Sequence, residues 1–561
     1  MNYMENSRTS RKSKKRGSSN FLVQGMILAA AGIIVRVIGM FYRIPLADIL
    51  GDEGNGYYSS AFSIYSILLI VSSYSLPTAV SKMVAVRTAR KEYVNSFRVL
   101  KVSLFYGTVV GGLGAGVLWF GADFFANEFL KMPYTSYALK TLAPTIWIIA
   151  YLGVFRGYFQ GLGTMMPTAV SQIFEQIINA VISIYAAAKL FQEGLRSNAL
   201  YGTDQLSYAF GAAGGTIGTG AGALAALIFL LFLMISYRPI MRRQSRRDRS
   251  KYMETYQNLS VVLVMTVLPI VFSSVAYNIS GVMDNSIYGI SMASMGMGAS
   301  DIAANWGIFS GKYKLLYSIP VAIANSLASA LIPSLSQATA ERNKGQMIRR
   351  ISMVIRFSMI IAIPSTVGLT VLAGPVSNLL FSRSDNTDLI KMLIYGSSAV
   401  VFFSLSTVTN GVLQGINHMK TPLKNAIISL ILHVGILWVM LIPFKMGIYG
   451  VLYSNILFAL TMCLLNGLSI GRFLNYHQEM KKTFFLPVLA SGIMGAVSYG
   501  VYFLVHITLK HNALGVLAAI AAAIIVYGVL LLKFKCVDEA ELLSFPGGRK
   551  LAVIARKFHL L

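Results

Sequence analysis

The chain alternates between long apolar runs and short polar joints. About 20 apolar residues cross a bilayer's hydrocarbon at 1.5 Å per residue. On that ruler the pattern predicts fourteen membrane-spanning helices. They lie near 22–47, 57–85, 99–126, 138–160, 165–190, 209–237, 259–285, 304–334, 351–381, 389–415, 421–443, 447–471, 485–507 and 513–534. Basic residues set the sidedness. Arg8, Arg11, Lys12, Lys14, Lys15 and Arg16 precede the first span, and Arg87, Arg90, Lys91 and Arg98 follow the second. RPIMRRQSRRDRSK follows the sixth; Arg342, Lys344, Arg349 and Arg350 follow the eighth. Arg472, Lys481 and Lys482 follow the twelfth, and Arg549, Lys550, Arg556 and Lys557 follow the last. With fourteen spans all these groups share one side, which the positive-inside rule makes cytoplasmic. Both termini are then cytoplasmic. Thirteen spans would break the pattern. The longest outer loops are expected at 191–208 and 286–303.

Composition agrees. Of 561 residues 55% are hydrophobic and 12% charged, where a soluble protein is about one-quarter charged. Mean hydropathy is +0.63. The formal charge of +27 would suggest nucleic acid in a soluble protein. Here the basic residues sit in the joints, so the charge reports orientation and contact with anionic phospholipids. No surface of interleaved basic and aromatic residues is present, and no nucleic-acid partner is expected. Cys463 and Cys536 supply neither a disulfide framework nor metal spacing; no metal and no cofactor is expected. The Ser-, Lys- and Arg-rich residues 1–20 are expected to be a disordered cytoplasmic tail.

Two elbows repeat. RGYFQGLGTMMPTAVSQ (156–172) and NGVLQGINHMKTPLKNA (410–426) both place Gly-x-x-Gln-Gly before a polar turn, a methionine and a proline. Gln160 and Gln414 are 254 residues apart; LPTAVSK at 76–82 and IPSLSQ at 332–337 align Pro77 with Pro333 at 256. That offset equals six helices. An even number gives halves of one topology, related by an axis along the membrane normal, as in alternating-access carriers. The expected fold is therefore all-α: two six-helix lobes plus two C-terminal helices. The domains are the tail 1–20, an N-lobe 21–237, a basic interlobe linker 238–258, a C-lobe 259–472, spans thirteen and fourteen within 473–534, and a cytoplasmic tail 535–561. The glycine-rich GGTIGTGAGA at 214–223 lacks a strand before it and reads as close helix packing. GIFSGKY at 307–313 misses the phosphate-loop spacing and is rejected.

Charged residues inside spans are costly and mark functional sites. Arg36 and Arg43 lie seven residues apart, two turns along one helical face. In the fifth span Gln172, Glu175, Gln176 and Asn179 follow an i, i+3, i+4, i+7 stripe. Glu175 lies deep in its span. Asn278 and Asp284 in the seventh span, Lys312 and Lys314 in the eighth, and Asn410 at the end of the tenth complete the set of candidate cavity residues. Asp284, Lys312 and Lys314 lie near outer helix ends, where simple hydration is the plain alternative. His433 reads as a structural histidine.

The motifs RVIGMFYRIPLADILGDEGNGYYSSAFSIY, LPTAVSKMVA, RGYFQGLGTMMPTAVSQIFEQ, YSIPVAIANSLASALIPSLSQ and NGVLQGINHMKTP run through nearly the whole chain. They resemble the multidrug/oligosaccharidyl-lipid/polysaccharide flippase superfamily, most of all its Gram-positive polysaccharide-transport branch of lipid II flippase-like and spore-cortex proteins. The resemblance implies a flippase of the bacterial plasma membrane. Its cargo would be an undecaprenyl-diphosphate-linked sugar such as lipid II, moved from the inner to the outer leaflet, with a monovalent cation as a candidate coupling partner. In such flippases cavity arginines are thought to meet the diphosphate. Arg36 and Arg43 match the first-helix position, and Lys312 or Lys314 loosely matches a basic residue of the eighth. A second-helix arginine of the Gram-negative type has no counterpart, since no Lys or Arg occurs between Arg43 and Lys82.

The chemistry suits that cargo. A guanidinium fork fits phosphate oxygens. Exporting an anion against an inside-negative potential is downhill by roughly 2.3 kcal/mol per charge per 100 mV. A drug/cation antiporter would want acidic cavity groups and fewer spans. Export of another polyprenyl-linked glycan, of capsule or teichoic type, is the alternative. A membrane glycosyltransferase would need a sizeable polar loop or an Asp-x-Asp-like site, and neither is present. A scaffold without transport is the remaining alternative.

Overall fold

The computed structural model describes residues 2–250, 252–418 and 420–536. The cytoplasmic tail expected at 535–561 lies outside them from 537 onward. The protein is all-α, with no strand among the described residues. The fourteen predicted spans are mostly helical, but 57–85, 304–334, 351–381 and 389–415 are each divided between two or more helices. Nine described helices are each long and apolar enough to cross a membrane, and one bent pair makes a tenth.

The helices form two compact units, Met1–Gly307 and Ile308–Leu561. The first holds α1 (Asn2–Leu69), α2 (Leu76–Ala89), α3 (Tyr93–Phe124), α4 (Thr135–Gly161), α5 (Met166–Tyr201), α6 (Leu206–Ser245), α7 (Tyr256–Ser294) and α8 (Ala299–Gly307). The second holds α9 (Lys314–Ala340), α10 (Lys344–Val371), α11 (Ala373–Leu380), α12 (Thr387–Gly396), α13 (Ala399–Gly415), α14 (Lys420–Leu441), α15 (Ile448–Leu474), α16 (Leu486–Leu509) and α17 (Asn512–Lys533). The seventh span, read from sequence as the start of the C-lobe, packs as α7 on α1, α2 and α3 within the first unit. α1 starts at Asn2, inside the stretch expected to be a disordered tail.

Helices run past the hydrocarbon, so two expected loops shrink. The loop at 191–208 is mostly helix: α5 ends only at Gly202, which caps it with φ +64, and α6 starts at Leu206. Positive φ suits glycine, which has no Cβ to clash. The loop at 286–303 reduces to a turn between α7 and α8. An apolar-run ruler stops where polar residues begin, but helical hydrogen bonding does not. The joint expected between spans one and two is also absent. The chain breaks only at Gly51 (φ 65, ψ −173), a region open to glycine alone. Asn55 Nδ2 donates to the carbonyls of Ala47 (2.7 Å) and Gly51 (2.6 Å), satisfying groups the break would orphan.

Glycines then set the packing. In α6 a Cβ at Gly218 would collide with Ser183, and one at Gly222 with the Glu175 carbonyl oxygen. The 214–223 glycines are thus a helix seam that brings α5 and α6 backbone to backbone. The elbow repeat is built the same way twice. Gly161 of α4 sits against Ser81 and Val84 of α2, and Gly415 of α13 sits against Leu335 of α9. Ser81 and Leu335 are themselves 254 residues apart. GIFSGKY includes a π-helical turn at Ile308–Tyr313, not a phosphate loop.

The connection 238–258 is bound down. The Arg87 fork grips the Glu254 carboxylate through Nε (2.7 Å) and Nη2 (2.5 Å). Asn95 exchanges hydrogen bonds with the backbone of Tyr252 and Glu254. The Val94 N–H donates to Asp248 Oδ1 at 3.0 Å. Burial works against the Asp248 charge, but the N–H groups of Val94 and Ser250 and the Ser250 hydroxyl hold its carboxyl below the ordinary carboxylate range.

Candidate functional site

In the first unit α1 lies along α5, and the glycine seam fixes α5 on α6. The contact between α1 and α5 is polar. The space over Gly39 is occupied by the Gln176 amide, and Asn179 Nδ2 donates to the Tyr42 hydroxyl at 3.4 Å. Gly39 lies between Arg36 and Arg43 on their shared face, so the Gln172–Asn179 stripe meets the arginine face. Arg36 is exposed, and none of its polar contacts lies among the described residues. Arg43 is exposed, with the Tyr42 and Tyr58 hydroxyls beside its guanidinium.

Glu175 has a partner that the sequence reading did not select. Arg156 of α4 places Nη2 2.7 Å from Glu175 Oε2 and donates from Nε to Ser171 Oγ at 2.9 Å. The side chains are 13% and 23% exposed, so water screens the pair little. Ser171 donates onward to the Thr168 carbonyl, and Gln160 Nε2 donates to Thr168 Oγ1 at 3.3 Å. The elbow motif thus carries an ion pair. A legible signal was present: a carboxylate deep in a span needs a cation, and Arg156 is itself inside the fourth span. The pair neutralises itself, so it adds no net charge to this part of the unit. Asn179 is buried and accepts from Ser183 Oγ at 2.9 Å. Gln172 is half-buried and Asn278 exposed, its amide spent locally on the Ser274 carbonyl at 2.8 Å.

Hydration does not describe all the helix-end charges. Asp284 is buried in the first unit beside Asn285, whose Nδ2 reaches Ser63 Oγ at 3.3 Å. Helices continuing beyond the ruler put this position inside packed protein. Lys312 is fully buried in the second unit, with its Nζ 5.3 Å from the Phe381 ring centroid; Lys314 is half-buried with Nζ 4.8 Å from the Phe309 ring. Aromatic faces are favourable neighbours for a desolvated ammonium.

Asn410 belongs to a neutral network. Asn466 Nδ2 donates to Asn410 Oδ1 (2.8 Å) and Thr409 Oγ1 (3.2 Å), and its own Oδ1 accepts from Asn425 Nδ2 at 2.9 Å. His433 is buried with Nδ1 3.0 Å from the Ser454 carbonyl, a structural role. Of the ten candidates, seven fall in the first unit and Lys312, Lys314 and Asn410 in the second.

Comparison with known proteins bears on this arrangement. Residues 22–339 match the family model described as polysaccharide biosynthesis protein. Stage V sporulation protein B of Bacillus subtilis is 25% identical over 532 residues, 94% of this chain and 98% of that protein. Lipid II flippase MurJ of the same organism is 26% identical, over 85% and 88% of the two chains. A solved lipid II flippase MurJ in an inward closed conformation superposes with a TM-score of 0.65 at 16% identity, covering 90% of this chain and 98% of that one. That likeness shows the fold.

Proposed function

The chain belongs to the polysaccharide biosynthesis protein family, as a multi-pass membrane transporter within the superfamily expected from its motifs, and we propose that it is a flippase for an undecaprenyl-diphosphate-linked sugar. Lipid II is the first candidate, since one relative carries that cargo in its name. Another polyprenyl-linked glycan is the second reading, since the other relative is a sporulation protein. Movement runs from the inner to the outer leaflet by alternating access, in a bacterial plasma membrane with both termini cytoplasmic. Anionic phospholipids surround the cytoplasmic joints.

The observation that carries the reading is the placement of Arg36 and Arg43 two turns apart on one face of α1. Glu175 is engaged by Arg156, so Arg36 and Arg43 keep their charge for a ligand. Two guanidiniums on one helical face suit the two phosphates of a diphosphate. Gln172, Asn179, Asn278 and Asp284 are the further candidate contacts in the first unit; Lys312, Lys314 and Asn410 are the candidates in the second. A monovalent cation could supply drive, but export of an anionic lipid is already favoured by the membrane potential. The test is Arg36→Ala at normal expression, assayed by movement of labelled lipid II in vesicles without nucleotide. Loss of transport is expected; full activity would sink the assignment.

A further inference from the structure

The cytoplasmic end of α6 forms one wall of a groove unrelated to the arginines of α1. α6 has 40 residues, about 60 Å at 1.5 Å per residue, roughly twice the hydrocarbon thickness. Its last turns therefore emerge through the head-group layer. Arg238, Arg242 and Arg246 recur every four residues there, on one face. They edge a groove of about 730 Å³ whose deeper walls are apolar, including Leu100 and Leu104 of α3, Phe155 of α4 and Met234 of α6. No acidic side chain lines it among the described residues. Lys101 adds a fourth cation, its Nζ 5.1 Å from the ring of Phe97 on the groove wall. All three arginines are exposed, and none is in an ion pair among the described residues.

We propose that this groove binds one anionic phospholipid of the inner leaflet, an acyl chain lying along the apolar walls and the phosphate held by Arg238, Arg242 and Arg246. The two halves of the groove match the two halves of such a lipid. An apolar slot alone would accept any acyl chain, and an arginine row alone would hold any anion. Their stacking along one helix, at the depth where phosphate meets hydrocarbon, selects a molecule with both. The bound lipid would brace α6 against α3 and α4 where the chain leaves the membrane for the anchored linker. This site is independent of the transported cargo.

The experiment titrates full-length protein in uncharged detergent with phosphatidylglycerol and, separately, phosphatidylcholine, reading bound lipid by native mass spectrometry. Preferential retention of phosphatidylglycerol is expected. R238Q/R242Q/R246Q should weaken it by at least about tenfold, given the attraction of each basic side chain for anionic lipid. R243Q/R247Q/R249Q removes equal charge from the same basic run off the groove, and should change binding by less than about twofold. Equal losses in the two triples would mean general surface attraction and overturn the proposal. M234W keeps every charge and fills the apolar slot; undiminished phosphatidylglycerol binding in that variant would overturn it as well. Displacement of the lipid by millimolar inorganic phosphate would mean an anion site without a lipid role, and is likewise excluded by the proposal.

Discussion

At the two matching positions of the repeated elbow, the first unit holds charge and the second holds neutral side chains, an amide and a hydroxyl. Arg156 aligns with Asn410 and Glu175 with Ser429, both at the offset of 254 residues. The elbows share their glycines, their glutamine and their packing against the helix that follows the repeated proline. What differs is the polar cargo of the scaffold: an ion pair closed by Ser171 in one unit, an Asn410–Asn466–Asn425 chain in the other. Shared packing with divergent polarity indicates that the elbow is a structural joint first. The charge was placed on one side of it, in the unit that also carries Arg36 and Arg43.

The largest break in that comparison should come from Glu175→Ala. Removing one partner of a buried pair leaves the other desolvated and costs about 3–5 kcal/mol. Partial exposure of both side chains puts the cost near 3 kcal/mol, the lower end of that range. Thermal unfolding in detergent should show it, and R156A/E175A should regain at least half the loss. Ser429→Ala, at the equivalent position, should stay within about 0.5 kcal/mol of the parent, because its buried hydroxyl makes no hydrogen bond among the described contacts. A Ser429→Ala loss as large as that of Glu175→Ala would remove the asymmetry.

A smaller loss is expected from Asn466→Ala. Three hydrogen bonds meet at this buried amide. Interhelical hydrogen bonds in membranes average about 0.6 kcal/mol each, so a total of about 1–2 kcal/mol follows. The same melts rank it: a cost above that of Glu175→Ala would make the neutral network the stronger joint and reverse the comparison.

Much of this was legible in the sequence. The all-helical, multi-pass architecture follows from apolar length, because the bilayer imposes it. The glycine seam was readable as packing, since GGTIGTGAGA had no strand before it. Helix ends were not readable. Gly51, Gly202 and the caps around Asn55 decide where helices stop, and those are local backbone matters that an apolar ruler does not measure. The attachment of α7 to the first unit was hidden as well, because a repeat counts helices and says nothing about which neighbour each packs on. In the site, the polar stripe of α5 was visible as a spacing. The Arg156–Glu175 pair spans two helices nineteen residues apart, and only folding sets their faces together. Burial of Asp284 and Lys312 was missed for the same reason as the loops.

The smallest expected effect concerns the ionic style of the first unit outside the membrane. Asp248 anchors the linker through its charged form, accepting from the Val94 N–H. Its folded pKa lies below the ordinary value. A depressed carboxyl contributes stability that is fully present above the unfolded pKa and is lost as pH falls through the folded one. Asp248→Asn should therefore speed hydrogen exchange at the Val94 and Ser250 amides at pH 7, by roughly two- to fivefold as for an exposed charged contact. Lowering the pH below the folded pKa should bring the parent to the variant's behaviour, since the parent carboxyl is then neutral too. The Asn466 network contains no titrating group, so protection factors in α13 and α15, corrected for intrinsic rates, should be the same at both pH values. Equal pH sensitivity in the two places would show that the linker's anchoring does not depend on the Asp248 charge, and the contrast between an ionic first elbow and a neutral second elbow would then rest on Arg156 and Glu175 alone.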